Sequence, residues 1–85
     1  MKTKEEIIAI IKAEGEAGVE SDEKYVEIYD EVIDEGLELA QLVYFDESNE
    51  LLAYLLDKEN NGYWKEFDNL TKENQENIKS LSIWE

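Results

Sequence analysis

The carboxylates of this chain are concentrated in one segment, and that concentration constrains how the segment can fold. Between Glu20 and Glu50 the sequence places twelve Asp and Glu residues beside a single cation, Lys24. The whole chain has 23 acidic residues against eight basic ones, and its formal net charge is −15. Self-repulsion of this size opposes compaction. Because a fold does not require it, the charge imbalance is the strongest functional clue in the sequence.

Length and composition predict one folded domain over residues 1–85. Hydrophobic residues make up 42% of the chain and aromatic residues 11%, which argues against disorder despite the charge. A chain of 85 residues buries a modest fraction of its surface. We therefore expect a small core.

Several residue types are missing, and their absence narrows the function. The chain has no Cys and no His, and its eight basic residues are all Lys. Thiolate chemistry, the usual general base and the commonest transition-metal ligand are therefore ruled out. We expect no enzymatic activity and no cofactor. Direct nucleic-acid binding is not expected either, since every phosphate contact would oppose the charge.

The sequence also bears on location. No segment resembles a signal peptide, and no apolar run approaches the ~20 residues of a membrane span. We expect a cytoplasmic protein with no membrane partner, a monomer or at most a weak dimer.

The first helix is predicted over residues 3–14. Thr3 suits its N-cap, and Glu6 three residues later completes a capping box. We expect the helix to end at Gly15. The apolar stripe consists of Ile7, Ile8 and Ile11, broadened by Ile10.

A second helix is predicted over residues 22–35. Ser21 suits its N-cap, and Gly36 suits the left-handed position that ends a helix. The residues expected to face the core at helical spacing are Tyr25, Ile28, Tyr29, Val32 and Ile33.

Beyond Gly36 the hydrophobic period changes to that of strands. Residues 37–45, 51–56 and 63–67 are predicted strands, with turns at 46–49 and at the Asn-Gly of 59–62. Alternation assigns Leu37, Leu39, Gln41, Val43 and Phe45 to one side of the first strand, and Glu38, Ala40, Leu42 and Tyr44 to the other.

Thr71 then suits the N-cap of a last helix over residues 72–81, with Ile78 and Leu81 facing inward. Ile83 and Trp84 are expected to pack the C-terminus against the core. The predicted fold class is α+β, in the order α-α-β-β-β-α. Its antiparallel three-stranded meander has helices on one face.

On the predicted second helix the acidic residues form a ridge with i, i+4 spacing. Like charges at that spacing are about 6 Å apart along the axis and destabilise a helix by roughly 0.2–0.5 kcal/mol per pair. An ordinary solvated face is one explanation. The other explanation is that the ridge is a negatively charged surface that binds a basic partner. The candidate contact residues are Glu23, Glu27, Asp30, Glu31, Asp34 and Glu35, supported by Asp46, Glu47 and Glu50 from the next turn.

A small, acidic, cysteine-free α/β chain with this carboxylate density resembles the DNA-mimic inhibitors of phage origin, the anti-CRISPR and anti-restriction class. The resemblance covers composition and the segment Glu20 to Glu50, and includes no family motif. It implies occupation of a nuclease channel that is lined with Lys and Arg.

Residues 57–68 are similar to an EF-hand calcium loop, with Asp57, Glu59, Asn61, Tyr63 and Asp68 as ligands and Gly62 at the sharp turn. The spacing fits, but Glu59 is longer and Asp68 shorter than the usual ligands there. An EF-hand also needs a helix on each side of its loop. The preferred interpretation is an Asn-Gly hairpin with solvated carboxylates.

Together these patterns predict a non-enzymatic inhibitor that binds a basic nucleic-acid-processing enzyme through its carboxylates. An immunity protein for a basic toxin is one alternative, and a calcium-binding module is another. Aromatic residues are expected on the sheet, some in the core and some as contact anchors: Tyr44, Tyr54, Tyr63 and Trp64.

Overall fold

A computed structural model describes the backbone of residues 1–85 and every side chain except that of Asp30. The elements are α1 (Lys4–Glu14), β1 (Glu16–Ala17), β2 (Glu23–Asp34), β3 (Leu37–Phe45), β4 (Glu50–Leu56), β5 (Gly62–Glu66) and α2 (Lys72–Lys79). Single turns of 3₁₀ helix follow β5 and α2, at Phe67–Asn69 and Ser82–Trp84. No helix of the described chain has the length and apolar character needed to cross a bilayer.

The first helix is confirmed, together with its capping box. Thr3 Oγ1 accepts a hydrogen bond of 3.1 Å from the Glu6 amide, and the Thr3 amide donates to Glu6 Oε1 at 2.9 Å. These hydrogen bonds lower the pKa of Glu6. Ile7 and Ile11 are fully buried, so the stripe anchors α1 on the sheet.

The last helix is confirmed with the predicted cap, since Thr71 Oγ1 accepts from the Asn74 amide at 3.1 Å. It ends at Lys79, two residues earlier than predicted. Trp84 is buried, and its Nε1 donates to the Ile78 carbonyl at 2.7 Å. The C-terminus is therefore packed as expected, although Ile83 stays 45% exposed.

The five strands form one antiparallel sheet in the order β1-β2-β3-β4-β5. Strands β3, β4 and β5 are the three predicted strands, and tight turns connect them. The α+β class and an antiparallel sheet are confirmed, but the three-stranded meander is not. The predicted element order is wrong, because the meander has five strands and the described chain has two α-helices.

The predicted helix over 22–35 is wrong. Residues 23–34 form β2, the longest strand, which pairs with β3 along most of its length. The segment is rich in residues that favour strands: Tyr25, Val26, Ile28, Tyr29, Val32 and Ile33. Extension also separates carboxylates four residues apart by about 13 Å, which exceeds the Debye length at 0.1 M salt. The strand thus avoids the repulsion that a helix would have suffered.

Two irregularities in β2 explain why it resembled a helix. Its register with β3 shifts between Glu27 and Glu31, and again between Val32 and Asp34. Ile28 and Ile33 are both buried although they are five residues apart, a spacing that a regular strand would send to opposite faces. Tyr29 and Val32, predicted to face the core, are 78% and 63% exposed.

A third irregularity changes the predicted faces of β3. The register with β4 shifts between Leu39 and Gln41. Leu39 consequently shares the core face with Leu42 and Tyr44, while Gln41 and Val43 face the other way.

The main core lies on the helix side of the sheet. Its buried members come from both helices, from β2, β3 and β4, and from the two 3₁₀ turns. Val43 is only 4% exposed, yet it lies outside this cluster, on the opposite face of the sheet. The sheet therefore has apolar residues on both faces, and the helices cover one of them.

The hairpin between β2 and β3 depends on Gly36. Its φ is +75°, a left-handed conformation that costs an L-residue roughly 1–2 kcal/mol. We predict that Gly36→Ala lowers the free energy of unfolding by about 1 kcal/mol, measured by urea denaturation. Gly18→Ala is the matched control. An added methyl group meets a flexible side chain at both sites, but only Gly36 needs the positive φ. Equal destabilisation by the two variants would contradict this account of the hairpin.

Candidate interaction surface

The face of the sheet opposite the helices, here called the outer face, is organised by strand register. Cross-strand partners share a face in an antiparallel sheet. One row of partners crosses all five strands, and its members are Glu16, Tyr25, Val43, Leu52 and Glu66. The row therefore has three apolar or aromatic residues at its centre and a carboxylate at each end, about 19 Å apart at normal strand spacing.

Of the two flanking rows, one also has a carboxylate at each end, whereas the other begins with a carboxylate on β2 and ends with an aromatic residue on β5. One contains Glu23, Phe45 and Glu50, and the other contains Glu27, Gln41, Tyr54 and Trp64. The outer face thus has an apolar and aromatic centre with glutamates around it. We call these glutamates the rim: Glu16, Glu23, Glu27, Glu50 and Glu66.

The strand lysines lie on the other side of the sheet. Lys24 pairs with Tyr44 and Lys65 pairs with Ala53, and both partners belong to the main core. Neither lysine is therefore placed to neutralise the rim. The helix side, in contrast, has ion pairs between Lys4 and Asp68 and between Lys12 and Asp46.

Side-chain hydrogen bonds hold part of the rim in place. The Tyr25 hydroxyl donates to Glu16 Oε2 at 2.8 Å, and Gln41 Nε2 donates to Glu27 Oε1 at 2.8 Å. The hydrogen bond with Glu16 raises the pKa of the Tyr25 hydroxyl. These hydrogen bonds from neighbouring strands hold the Glu16 and Glu27 carboxylates in place on the outer face.

Glu50 and Glu66 form a carboxyl pair between β4 and β5. Their mutual hydrogen bond raises the pKa of Glu66 and lowers the pKa of Glu50. This part of the rim therefore has two interacting carboxyl groups on neighbouring strands.

Aromatic packing shapes the β5 side of the outer face. The rings of Tyr54 and Trp64 have centroids 4.8 Å apart with an interplanar angle of 50°. The Tyr54 ring lies across Gly62, where a Cβ atom would collide with it. Trp64 remains 50% exposed. The indole of Trp64 is therefore partly exposed to solvent while its ring packs against Tyr54.

A shallow depression of about 270 Å³ lies beside this aromatic pair. Its lining residues are Glu23, Gln41, Val43, Phe45, Leu52 and Trp64. Most of the lining is apolar, and the Glu23 carboxylate lies towards β1, where Oε1 accepts from the Glu20 amide at 3.5 Å.

The structure divides the predicted contact residues among several places. Glu23, Glu27 and Glu50 lie on the outer face. Asp34 and Glu35 lie at the β2–β3 hairpin, and Asp46 and Glu47 at the turn on the opposite end of β3. Glu31 is half-buried and pairs with Leu39, a core residue. The prediction for Asp30 concerns a side chain outside those described.

The prediction of a single acidic ridge is therefore wrong. Its geometry required a helix, and β2 is a strand. Two carboxylates of the set also have partners within the chain: Asp34 Oδ1 accepts from the Glu35 amide at 2.7 Å, and Asp46 forms an ion pair with Lys12 at 3.4 Å.

The EF-hand alternative is contradicted by local structure, since strands flank the turn where an EF-hand needs helices. Asp57 Oδ1 accepts from the amides of Glu59 and Asn61, both at 2.9 Å, and the bond from Asn61 lowers its pKa. Asp68 binds Lys4 Nζ at 3.0 Å through both oxygens. Among the described residues no cluster of three acidic side chains has metal-binding geometry. The β4–β5 hairpin is confirmed, but Asn-Gly does not form its turn, because the positive φ is at Asn60 and Gly62 is the first residue of β5.

Sequence reasoning missed half of the outer face. Glu16 and Glu66 were not selected, and Tyr25 was assigned to a core. The alternation of Glu23, Tyr25 and Glu27 was an available signal, because carboxylates flanking an aromatic at period two are typical of a solvent-facing strand.

Comparison with protein-family models, curated proteins and solved structures finds no match to this chain.

The Glu50–Glu66 pair predicts a pH-dependent stability. Because the folded state raises the pKa of Glu66, it binds more protons than the unfolded state just above the ordinary Glu pKa. This contribution to stability is present at lower pH and is lost as pH rises through the folded pKa of Glu66. We predict that Glu66→Gln raises the thermal midpoint at pH 7 in low salt, and that the gain shrinks towards pH 4.

Glu59→Gln is the control for this prediction, because it removes the same charge from an exposed turn. Subtracting its effect removes the general benefit of lowering the net charge. A gain for Glu66→Gln that equals the control at every pH would show that the pair has no specific repulsion.

Proposed function

We propose that this protein is a non-enzymatic inhibitor that binds a basic nucleic-acid-processing enzyme, such as a CRISPR effector or a restriction nuclease. Its carboxylates occupy the surface that the enzyme uses for nucleic acid. Such targets act in the bacterial cytoplasm, and the proposal places the protein there.

The observation that carries the proposal is the one-sided charge of the sheet. Five rim glutamates surround an open face, and both strand lysines lie on the other face. A solvated surface in a soluble protein gains from alternating charges. A surface with a single sign gains only when a partner of opposite charge approaches, because it then accelerates association and excludes partners of like charge.

The strand geometry changes how mimicry would operate. A helix would have spaced its carboxylates at regular intervals of about 6 Å. On the outer face Glu23 and Glu27 are about 13 Å apart along β2. The proposed mimicry is therefore one of charge sign and density over an area, and it does not copy the spacing of phosphates along a strand.

Protection of the sheet edges explains some of the acidic residues, and this explanation does not require a binding partner. Beyond Tyr25 the free edge of β2 has no strand partner in the described chain, and charges and bulges there discourage pairing with other molecules. Asn77 Nδ2 donates to the Ile33 carbonyl on this edge. That role accounts for charges near the hairpin. It can also account for Glu66, because β5 is the other edge strand, but it does not account for Glu50 on the inner strand β4.

We predict that Glu23→Lys/Glu27→Lys/Glu50→Lys weakens inhibition by roughly ten- to a hundredfold. Each exposed ion pair contributes about 0.2–1 kcal/mol, and reversal replaces an attraction by a repulsion. The measurement is DNA cleavage by a purified RNA-guided nuclease and a restriction endonuclease, at low and high salt. Circular dichroism verifies that the variant is folded.

The matched control is Glu14→Lys/Glu59→Lys/Glu76→Lys, which changes the net charge equally at exposed sites away from the outer face. Equal loss in both variants would mean that net charge matters and the face does not. Inhibition of a basic ribonuclease toxin in an RNA-cleavage assay, with neither DNA nuclease inhibited, would favour the immunity-protein alternative and contradict the proposal.

A further inference from the structure

Apolar side chains form a stripe along the outer face, in the direction of β3 and β4. Alternate residues of a strand share a face, so Leu52, Tyr54 and Leu56 line β4 over about 13 Å. On β3, Val43 pairs with Leu52, and Phe45 continues the stripe towards the β3–β4 turn. All of these residues except Val43 are only half-buried, because the helices pack on the other face of the sheet. The stripe is therefore an apolar surface that is open to a partner.

The rim surrounds this stripe. Its glutamates on β1 and β2 border one long side, and Glu66 on β5 borders the other. Glu50 lies at the end of the stripe next to the β3–β4 turn. At the opposite end, beyond Leu56, the side chain of Lys58 packs against Gly36. Negative charge therefore borders the stripe on three sides.

These dimensions match an amphipathic helix that lies along the strands. An α-helix with its side chains is about 10–12 Å wide, and the rim is about 19 Å across from β1 to β5. Lys and Arg on the flanks of such a helix can lay their stems over the apolar margin and bring their charges to the rim. The length of the stripe corresponds to about nine helical residues. The same sheet already holds α1 and α2 on its other face through apolar contacts.

Charge distinguishes this helix from other occupants. A second copy of the chain would bring a net charge of −15 against the rim, and nucleic acid would bring phosphates. An uncharged apolar helix would desolvate rim carboxylates without pairing them, and burying an unpaired charge is costly. A basic segment without apolar residues would pair with the rim but would leave the stripe in water.

We propose that the outer face binds an amphipathic helix of the partner protein. The apolar side of that helix packs on the stripe, and Lys or Arg residues on its two flanks meet the rim. The identity of the protein that carries the helix rests on the proposed function, but the recognition of a basic amphipathic helix does not.

The test uses three acetylated and amidated peptides of about 14 residues, built from Leu, Lys and Ala so that they can form a helix. The first has Leu at helical spacing on one side and Lys on both flanks. The second has the same composition, with Leu distributed all round the helix. The third replaces every Lys of the first by Glu. Each is titrated into the complete chain by calorimetry at low salt, below the concentration at which the peptides self-associate.

The first peptide is expected to bind roughly tenfold more tightly than the second, because both carry the same charge and only the first matches the stripe. The third should show no binding, since its carboxylates meet the rim. Difference circular dichroism of the complex should show that the first peptide gains helix when it binds. Equal affinity of the first and second peptides, or a first peptide that binds without gaining helix, would overturn the proposal.

A pair of variants locates the binding on the outer face. Trp64 borders the stripe beside Tyr54, whereas Tyr63 on the same strand pairs with core-facing Leu55. The two residues are 50% and 42% exposed, so Trp64→Lys and Tyr63→Lys add the same charge at comparable exposure on opposite faces. Trp64→Lys should weaken the first peptide roughly tenfold, and Tyr63→Lys less than about threefold. Equal weakening by the two variants, with both folded by circular dichroism, would contradict binding at this face.

The results also separate this proposal from the proposed function. Selective binding of the first peptide without nuclease inhibition would support the docking surface and remove the proposed function. Nuclease inhibition that is sensitive to the rim, with equal binding of the first and second peptides, would support the function and remove the helix site.

Discussion

Backbone pairing between β2 and β3 is the constraint on which the rest of the structure depends. It extends the most acidic segment of the chain, so that carboxylates which a helix would crowd are spread over a surface. It also sets which residues are covered. Ile28 and Ile33 enter the core, while Tyr25 joins Val43 on the open side. The rim and the aromatic centre exist because this register holds.

Much of the fold could be predicted from sequence because the signals were local. The Thr3 capping box and the Thr71 cap each specify a backbone conformation within a few residues, and the turn cluster at 59–62 marks the β4–β5 hairpin although its positive φ is at Asn60. Strand β2 was predicted wrongly because its bulges shift the phase of the apolar pattern. Two facts favoured a strand: its aromatic and β-branched composition, and the repulsion between like charges on a helix. The repulsion between like charges was interpreted only as a sign of function, and its preference for an extended segment was overlooked.

The candidate surface was only partly predictable, for a related reason. Glu23, Glu27 and Glu50 were selected by charge, and charge density survives an error in secondary structure. Their neighbours depend on pairing between distant strands. Glu16 comes beside Tyr25, and Trp64 beside Tyr54, only through register that local sequence does not encode. An interaction surface built from a sheet is therefore harder to predict than one built from a single helix.

Cross-strand nuclear Overhauser effects in solution test the pairing most directly, because they need no partner protein. The account predicts contacts between the backbone protons of Val26 and Leu42, and of Glu27 and Gln41, with strand-type chemical shifts over residues 23–34. It also predicts slow amide exchange where β2 and β3 are paired. Sequential amide–amide contacts and i, i+3 contacts over residues 22–35 would indicate a helix. That result would restore the acidic ridge and contradict the outer face on which the proposed function rests.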